Sequence, residues 1–161
     1  MNLRKLRSIL ILASVGNVIL ISCPFAGDLD LSRGQTIYVP AYSYIRIGER
    51  GSQFDLATNL TVRNTDPSKK ITVLSIDYYD SEGKQRKSYL DVPQDIKPLA
   101  AMNFFVKASD VTGGLAPSFI IKWKSADRVV SPIMEAVMIG DRSGQGISFV
   151  SVGKVIKAEP D

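Results

Sequence analysis

The chain has 161 residues, 22% of them charged, with 20 basic and 16 acidic side chains, one cysteine and no histidine. Without histidine, Ser-His-Asp and Cys-His catalysis and the common histidine-bearing zinc sites are excluded, and so is the usual general base near neutral pH. A single cysteine excludes an internal disulfide, so stability rests on packing.

Arg4, Lys5 and Arg7 precede an apolar run, Ile9 to Ile21, broken only by small residues and Asn17. A positive start followed by a short apolar stretch is the secretory pattern. Thirteen residues fall short of the roughly 20 a helix needs to cross a bilayer, which disfavours a permanent anchor. Cleavage after Ala26 or Gly27 would put Pro24 or Phe25 at −3, both poor for an ordinary signal peptidase. Leu20-Ile21-Ser22-Cys23 instead resembles a lipobox, in which the cysteine sulfur accepts acyl chains such as palmitate and becomes the new N-terminus. Residues 1–22 are therefore expected to be a lipoprotein signal peptide and Cys23 the lipidated residue. An aspartate after the cysteine marks inner-membrane retention in such lipoproteins; Pro24 stands there, which points to the periplasmic face of the outer membrane. Three of the 20 basic residues lie in the signal, leaving 17 against 16 acids in a mature chain of 139 residues, 161 less 22. A near-neutral domain gives no electrostatic case for nucleic acid.

Residues 23–33 read as a tether, 34–157 as one domain and 158–161 as a flexible tail. Within the domain the recurring pattern is period-two alternation, the mark of half-buried strands. Strands are expected over Thr36–Ile47, Phe54–Asn64, Ile71–Asp80, Gln85–Leu90, Ala101–Lys107, Phe119–Ser125, Ile133–Ile139 and Ile147–Ile156. Phe54, Leu56, Leu60 and Val62 share one face, as do Phe119, Ile121 and Trp123 opposite Lys122 and Lys124. Asn64-Thr65-Asp66-Pro67 is a turn in which Asn and Asp bond their own backbone. Asp80 to Lys84 is a hairpin turn with Gly83 where φ must be positive. About 7–9 strands at this spacing predict an all-β fold, an immunoglobulin-like antiparallel β-sandwich.

In the opening strand, Ile37, Val39, Ala41, Ile45 and Ile47 alternate with Tyr38, Tyr42, Tyr44 and Arg46. The second set would form an aromatic strip suited to a glycan, a peptide or an envelope protein; alternatively, Pro40 introduces a bulge and some of the tyrosines turn inward to cap the core. Pro40 cannot donate to a ladder, so the strand is expected at an edge or bulged there, and an edge accepts a partner strand. The glycine-rich Gly140–Gly146 segment, with Gly144 and Gln145 at its tip, lacks a following Lys-Ser/Thr and helix, so it is no phosphate loop. It is a second candidate binding loop. Asp77, Asp80 and Glu82 are weak candidates for an oxygen-ligated calcium ion. Glu135 interrupts an apolar run and is either outward on a solvated face or buried with a partner such as Arg63; a paired structural carboxylate is expected, with a perturbed catalytic acid as the alternative. No catalytic residue and no cofactor is assigned.

Three stretches together, Gly34–Ser43, Leu60–Pro67 with Ile76–Lys84, and Pro132–Gly140 with Gly146–Ser151, resemble a bacterial family of exported proteins of unknown function, domain of unknown function 3124. The resemblance implies an exported all-β domain and transfers no site residue. The expectation is a lipid-anchored, non-catalytic binding or structural module of the cell envelope. The alternatives are a carboxylate-dependent enzyme, for instance on glycans, needing two acids across one cleft, and an assembly chaperone offering an edge strand.

Overall fold

The structure is a computed structural model that describes residues 29–142 and 144–158. The expected signal and Cys23 lie outside the described residues. Twelve strands follow one another: β1 (Leu31–Pro40), β2 (Tyr44–Ile47), β3 (Ser52–Asp55), β4 (Ala57–Arg63), β5 (Ile71–Tyr79), β6 (Gln85–Ser88), β7 (Gln94–Ile96), β8 (Ala101–Val106), β9 (Ser118–Val130), β10 (Ile133–Arg142), β11 (Gln145–Val152) and β12 (Lys154–Ala158). One sheet runs β12-β1-β9-β5-β6, with β7 also paired to β5; the second runs β11-β10-β4-β8; β2 and β3 form a separate hairpin. Every pairing is antiparallel.

The two sheets close on one core. From β9 come Phe119, Ile121 and Trp123, with Ile37 and Val39 from β1, Leu60 and Val62 from β4, and Met134, Ala136 and Met138 from β10, all buried. Lys122 and Lys124 lie outside, as alternation requires. Take β4, β5, β8 and β9 as strands B, C, E and F of an immunoglobulin sandwich. B then pairs with E in one sheet and C with F in the other, as in that fold. β10 stands beside B where strand A would, and β1 beside F where strand G would, so the two ends of the chain exchange places.

Three expected strands are divided. The opening one breaks at Ala41–Ser43, where the Ala41 and Ser43 amides donate to the carbonyls of Pro117 and Leu115 instead of to a ladder. The Phe54–Asn64 strand breaks at Leu56, whose amide donates to Ser43 O. The last breaks at Gly153, where the chain passes from one sheet to the other. A Cβ there would stand 2.7 Å from an Ile37 methyl and 2.9 Å from Met134 O, so only glycine permits the crossing. At the other end, Leu31–Arg33, expected as tether, already belong to β1, paired with the end of β9.

Pro40 does not mark an edge or a bulge. β1 is internal, between β12 and β9; Pro40 is its last residue, past the final pair with β12 at Tyr38. The chaperone expectation built on this strand's edge loses its basis. Among the described residues the outermost strands of the two sheets are instead β12, β11, β8 and the β6/β7 side. A register shift between Val73 and Ser75 moves the inward set of β5 from Ile71 and Val73 to Ile76 and Tyr78.

Candidate interaction surface

The four tyrosine-face residues do not form a strip. Tyr38 stands on the outer face of the larger sheet, paired across to Lys154 and Ile120. Tyr42 lies in the break and packs edge-on against Phe149, ring centroids 5.8 Å apart. Tyr44 and Arg46 belong to the β2–β3 hairpin, where Tyr44 faces Asp55 and Arg46 Nη1 donates to Gly51 O at 3.2 Å. The strand break therefore scatters what alternation would have aligned.

The acidic cluster serves the hairpin turn. Asp80 is buried; its Oδ1 accepts the Glu82 and Lys84 amides and its Oδ2 accepts Arg86 Nε at 2.6 Å. The Lys84 amide leads in holding its carboxyl below the ordinary range, helped by Arg86. Asp77 Oδ1 accepts Gln85 Nε2 at 3.0 Å. These oxygens are aimed at their own turn and not at a common point.

Gly144 and Gln145 sit at the tip of the β10–β11 hairpin, with Gly144 at φ +79°. The hairpin leans on β3: Arg142 Nη1 donates to Gln53 O at 3.0 Å. A cleft of about 560 Å³ opens between them, lined by Asp55, Ile139, Gly140, Asp141 and Arg142 among others. Close approach requires Gly140, since a Cβ there would lie 2.5 Å from the Phe54 ring and 2.6 Å from Asp55 O. Asp55 and Asp141 both line the cleft and both are solvent-exposed.

From Ile139 the cleft continues onto the outer face of the smaller sheet. Outward positions are fixed by register: Val150, Val137, Asn59 and Phe105 form one row across the four strands, and Val152, Glu135, Thr61 and Asn103 the next. On this face Phe105 (56% exposed), Val150 (53%), Val152 (68%), Ile133 and Ile139 (46% each) stand in solvent, with Asn59, Thr61 and Asn103 among them. Glu135 lies on this face, its Oε1 accepting Arg63 Nε at 3.3 Å. The expected partner is present, in a half-exposed pair and not a buried one.

Inspection of isolated strands missed this surface, although β10 carries its signal. Apart from Glu135, both parities of Ile133–Ile139 are apolar: Met134, Ala136 and Met138 face the core, Ile133, Val137 and Ile139 face outward. That is the pattern of a strand covered on both sides.

The larger sheet's outer face differs. Lys122 and Lys124 rise from β9, Lys154 and Lys157 from β12. A second groove, about 590 Å³, runs along its end past Lys69, Lys70, Thr72 and Lys124. Lys70 Nζ is held by Asp95 Oδ2 at 2.6 Å and Lys69 Nζ donates to Arg128 O at 3.2 Å.

Fold and surface together define an all-β antiparallel sandwich domain with one apolar and one lysine-bearing outer face. The chain belongs to the family described as Protein of unknown function (DUF3124), whose model matches residues 34–156. No curated protein matches it. Among solved structures it is similar to the crystal structure of Thermotoga maritima 1070, at 14% identity and a TM-score of 0.46, covering 81% of this chain and 99% of that one.

Proposed function

We propose that this protein is an envelope lipoprotein whose sandwich is a non-catalytic binding module, with the outer face of the β11-β10-β4-β8 sheet as its docking surface. The supporting observation is β10, patterned for burial on both sides but covered on one. Exposed contiguous apolar area on a folded domain marks an interaction site more often than an accident of composition. The partner is an envelope protein with an apolar surface of its own. A glycan would prefer several exposed aromatic rings, whereas Phe105 is the one ring in these outward rows and the other exposed apolar side chains are aliphatic. The lipid on Cys23 would keep the module at the membrane.

In-cell photocrosslinking tests the surface. A crosslinking residue at Phe105 or Val150 should give a discrete adduct, and one at Lys122, on the opposite face, should not. Equal labelling from both faces, or from neither, would overturn the assignment. Mass spectrometry of the mature N-terminus tests the anchor independently: an unmodified residue beyond Cys23 would remove it.

The carboxylate-enzyme reading keeps one observation, the presence of Asp55 and Asp141 in a single cleft. Replacing both with Asn should leave envelope phenotypes unchanged if the module only binds. Loss of a glycan-directed activity in that variant would favour the enzyme.

A further inference from the structure

Leu99 is the sole non-glycine residue with positive φ among the described residues, at +58°, and it is 71% exposed. It sits in the turn Lys97-Pro98-Leu99-Ala100, closed by the Ala100 amide donating to Lys97 O at 3.1 Å. Proline before a positive-φ residue is the type II arrangement, in which glycine or asparagine is the comfortable third residue. A leucine there is strained by its Cβ and gains no burial in return. The fold would be better served by glycine, so the side chain serves something outside the fold.

The turn is firmly held. Buried Asn64 donates from Nδ2 to the carbonyls of Ile96, Lys97 and Lys69, and its amide donates to Ala100 O. Thr65 Oγ1 then donates to Ser131 O, and the Ser131 amide donates to Asp30 O at 2.8 Å. This chain of bonds ties the Leu99 turn to the place where the N-terminal segment joins the sandwich. Lys97 flanks Leu99 in sequence; Lys69 is held to the same asparagine through its carbonyl; both side chains are exposed.

We propose that this end of the domain docks on the bilayer that holds its lipid, with Leu99 entering the headgroup layer and Lys69 and Lys97 meeting anionic headgroups. The inference rests on the lipoprotein reading. Six residues separate Cys23 from Asp30, a reach of at most about 25 Å over the seven Cα-to-Cα steps. So short a leash keeps this end, and not the Gly144 end, against the surface and makes even a weak contact effective. A single apolar tip with basic neighbours suits such an interface.

The lone cysteine permits a direct test. The described residues carry their own closed core, so a chain beginning at Cys23 folds without the signal. Coupled through Cys23 to maleimide lipid in vesicles of phosphatidylethanolamine and phosphatidylglycerol, a Leu99→Trp variant should show a blue-shifted emission and quenching by brominated lipid. Val111→Trp, in the loop at the other end, should show neither. Lys69→Glu with Lys97→Glu should reduce the quenching severalfold, as should high salt. Leu99→Gly should have an unchanged or raised Tm, since strain is relieved. No response at position 99, an equal response at 111, or a marked loss of Tm in Leu99→Gly would overturn the proposal. Because coupling is chemical, these outcomes are independent of whether Cys23 is acylated in the cell, which mass spectrometry decides separately.

Discussion

Asp66 and Asp80 each hold a loop together by accepting backbone amides. Asp66 Oδ1 takes the Ser68 and Lys69 amides and its Oδ2 takes the Val130 amide, so one buried side chain joins the β4–β5 loop to β9. The Ser68 bond leads in holding its carboxyl below the ordinary 3.8, as the Lys84 bond does for Asp80. A folded-state pKa below the unfolded value stabilises the protein above the unfolded value, and that stability disappears as pH falls through the lowered one. Urea denaturation of the native protein and Asp66→Asn should therefore differ at neutral pH and converge as pH falls below about 3.8. Tyr89 shifts the other way, because burial without a compensating hydrogen bond raises its phenol to about 12. Gly140→Ala should destabilise by about 1–3 kcal/mol, because Phe54 and the Asp55 carbonyl leave a methyl no room. Tyr42→Ser should cost measurable stability through lost packing on Phe149, whereas Tyr38→Ser should stay within about 0.5 kcal/mol by thermal melting.

Strand existence follows from alternation, and strand ends do not. The inward faces of β4 and β9 are readable because Leu60, Val62, Phe119, Ile121 and Trp123 keep strict period two. Trp123→Ala should accordingly cost about 3–5 kcal/mol in chemical denaturation. β5 defeats the same reading: the irregularity at Leu74 reverses which parity faces inward, and a bulge has no signature in one sequence. The Tyr38–Tyr44 strip failed for a related reason. Alternation assumes a continuous strand, but the backbone at Ala41–Ser43 finds its partners in the Leu115–Pro117 loop, 72 and 76 residues away in the chain. An aromatic group of Tyr78, Tyr89, Phe104 and Phe119 also forms only on folding, with Lys87 Nζ 4.3 Å from the Tyr89 ring centre.

For the whole molecule, polarity is arranged by face and by end. One outer face is apolar and the other carries lysines; one end receives the N-terminal segment beside Leu99, while the other presents the β10–β11 hairpin and its cleft. A module leashed at one end, as proposed, would be free to offer its flank. Ile139→Asn with Val150→Asn should leave Tm within a few degrees, because neither side chain reaches the core, and should abolish the crosslinked adduct from Phe105. A fall in Tm typical of a core substitution would show that this face supports the fold and not a partner.

Sequence alone determined the all-β class, the turns at Asn64–Pro67 and Asp80–Lys84 and the expectation of export. These rest on local chemistry, on side chains that bond their own backbone and on a period set by the pleat. Tertiary structure decided which strand is internal, where strands break and which apolar parity is left in solvent. It also decided that strained Leu99 stands at the end where the N-terminal segment joins. Those features depend on partners distant in the chain, and period two cannot say which of two apolar faces the opposite sheet will cover.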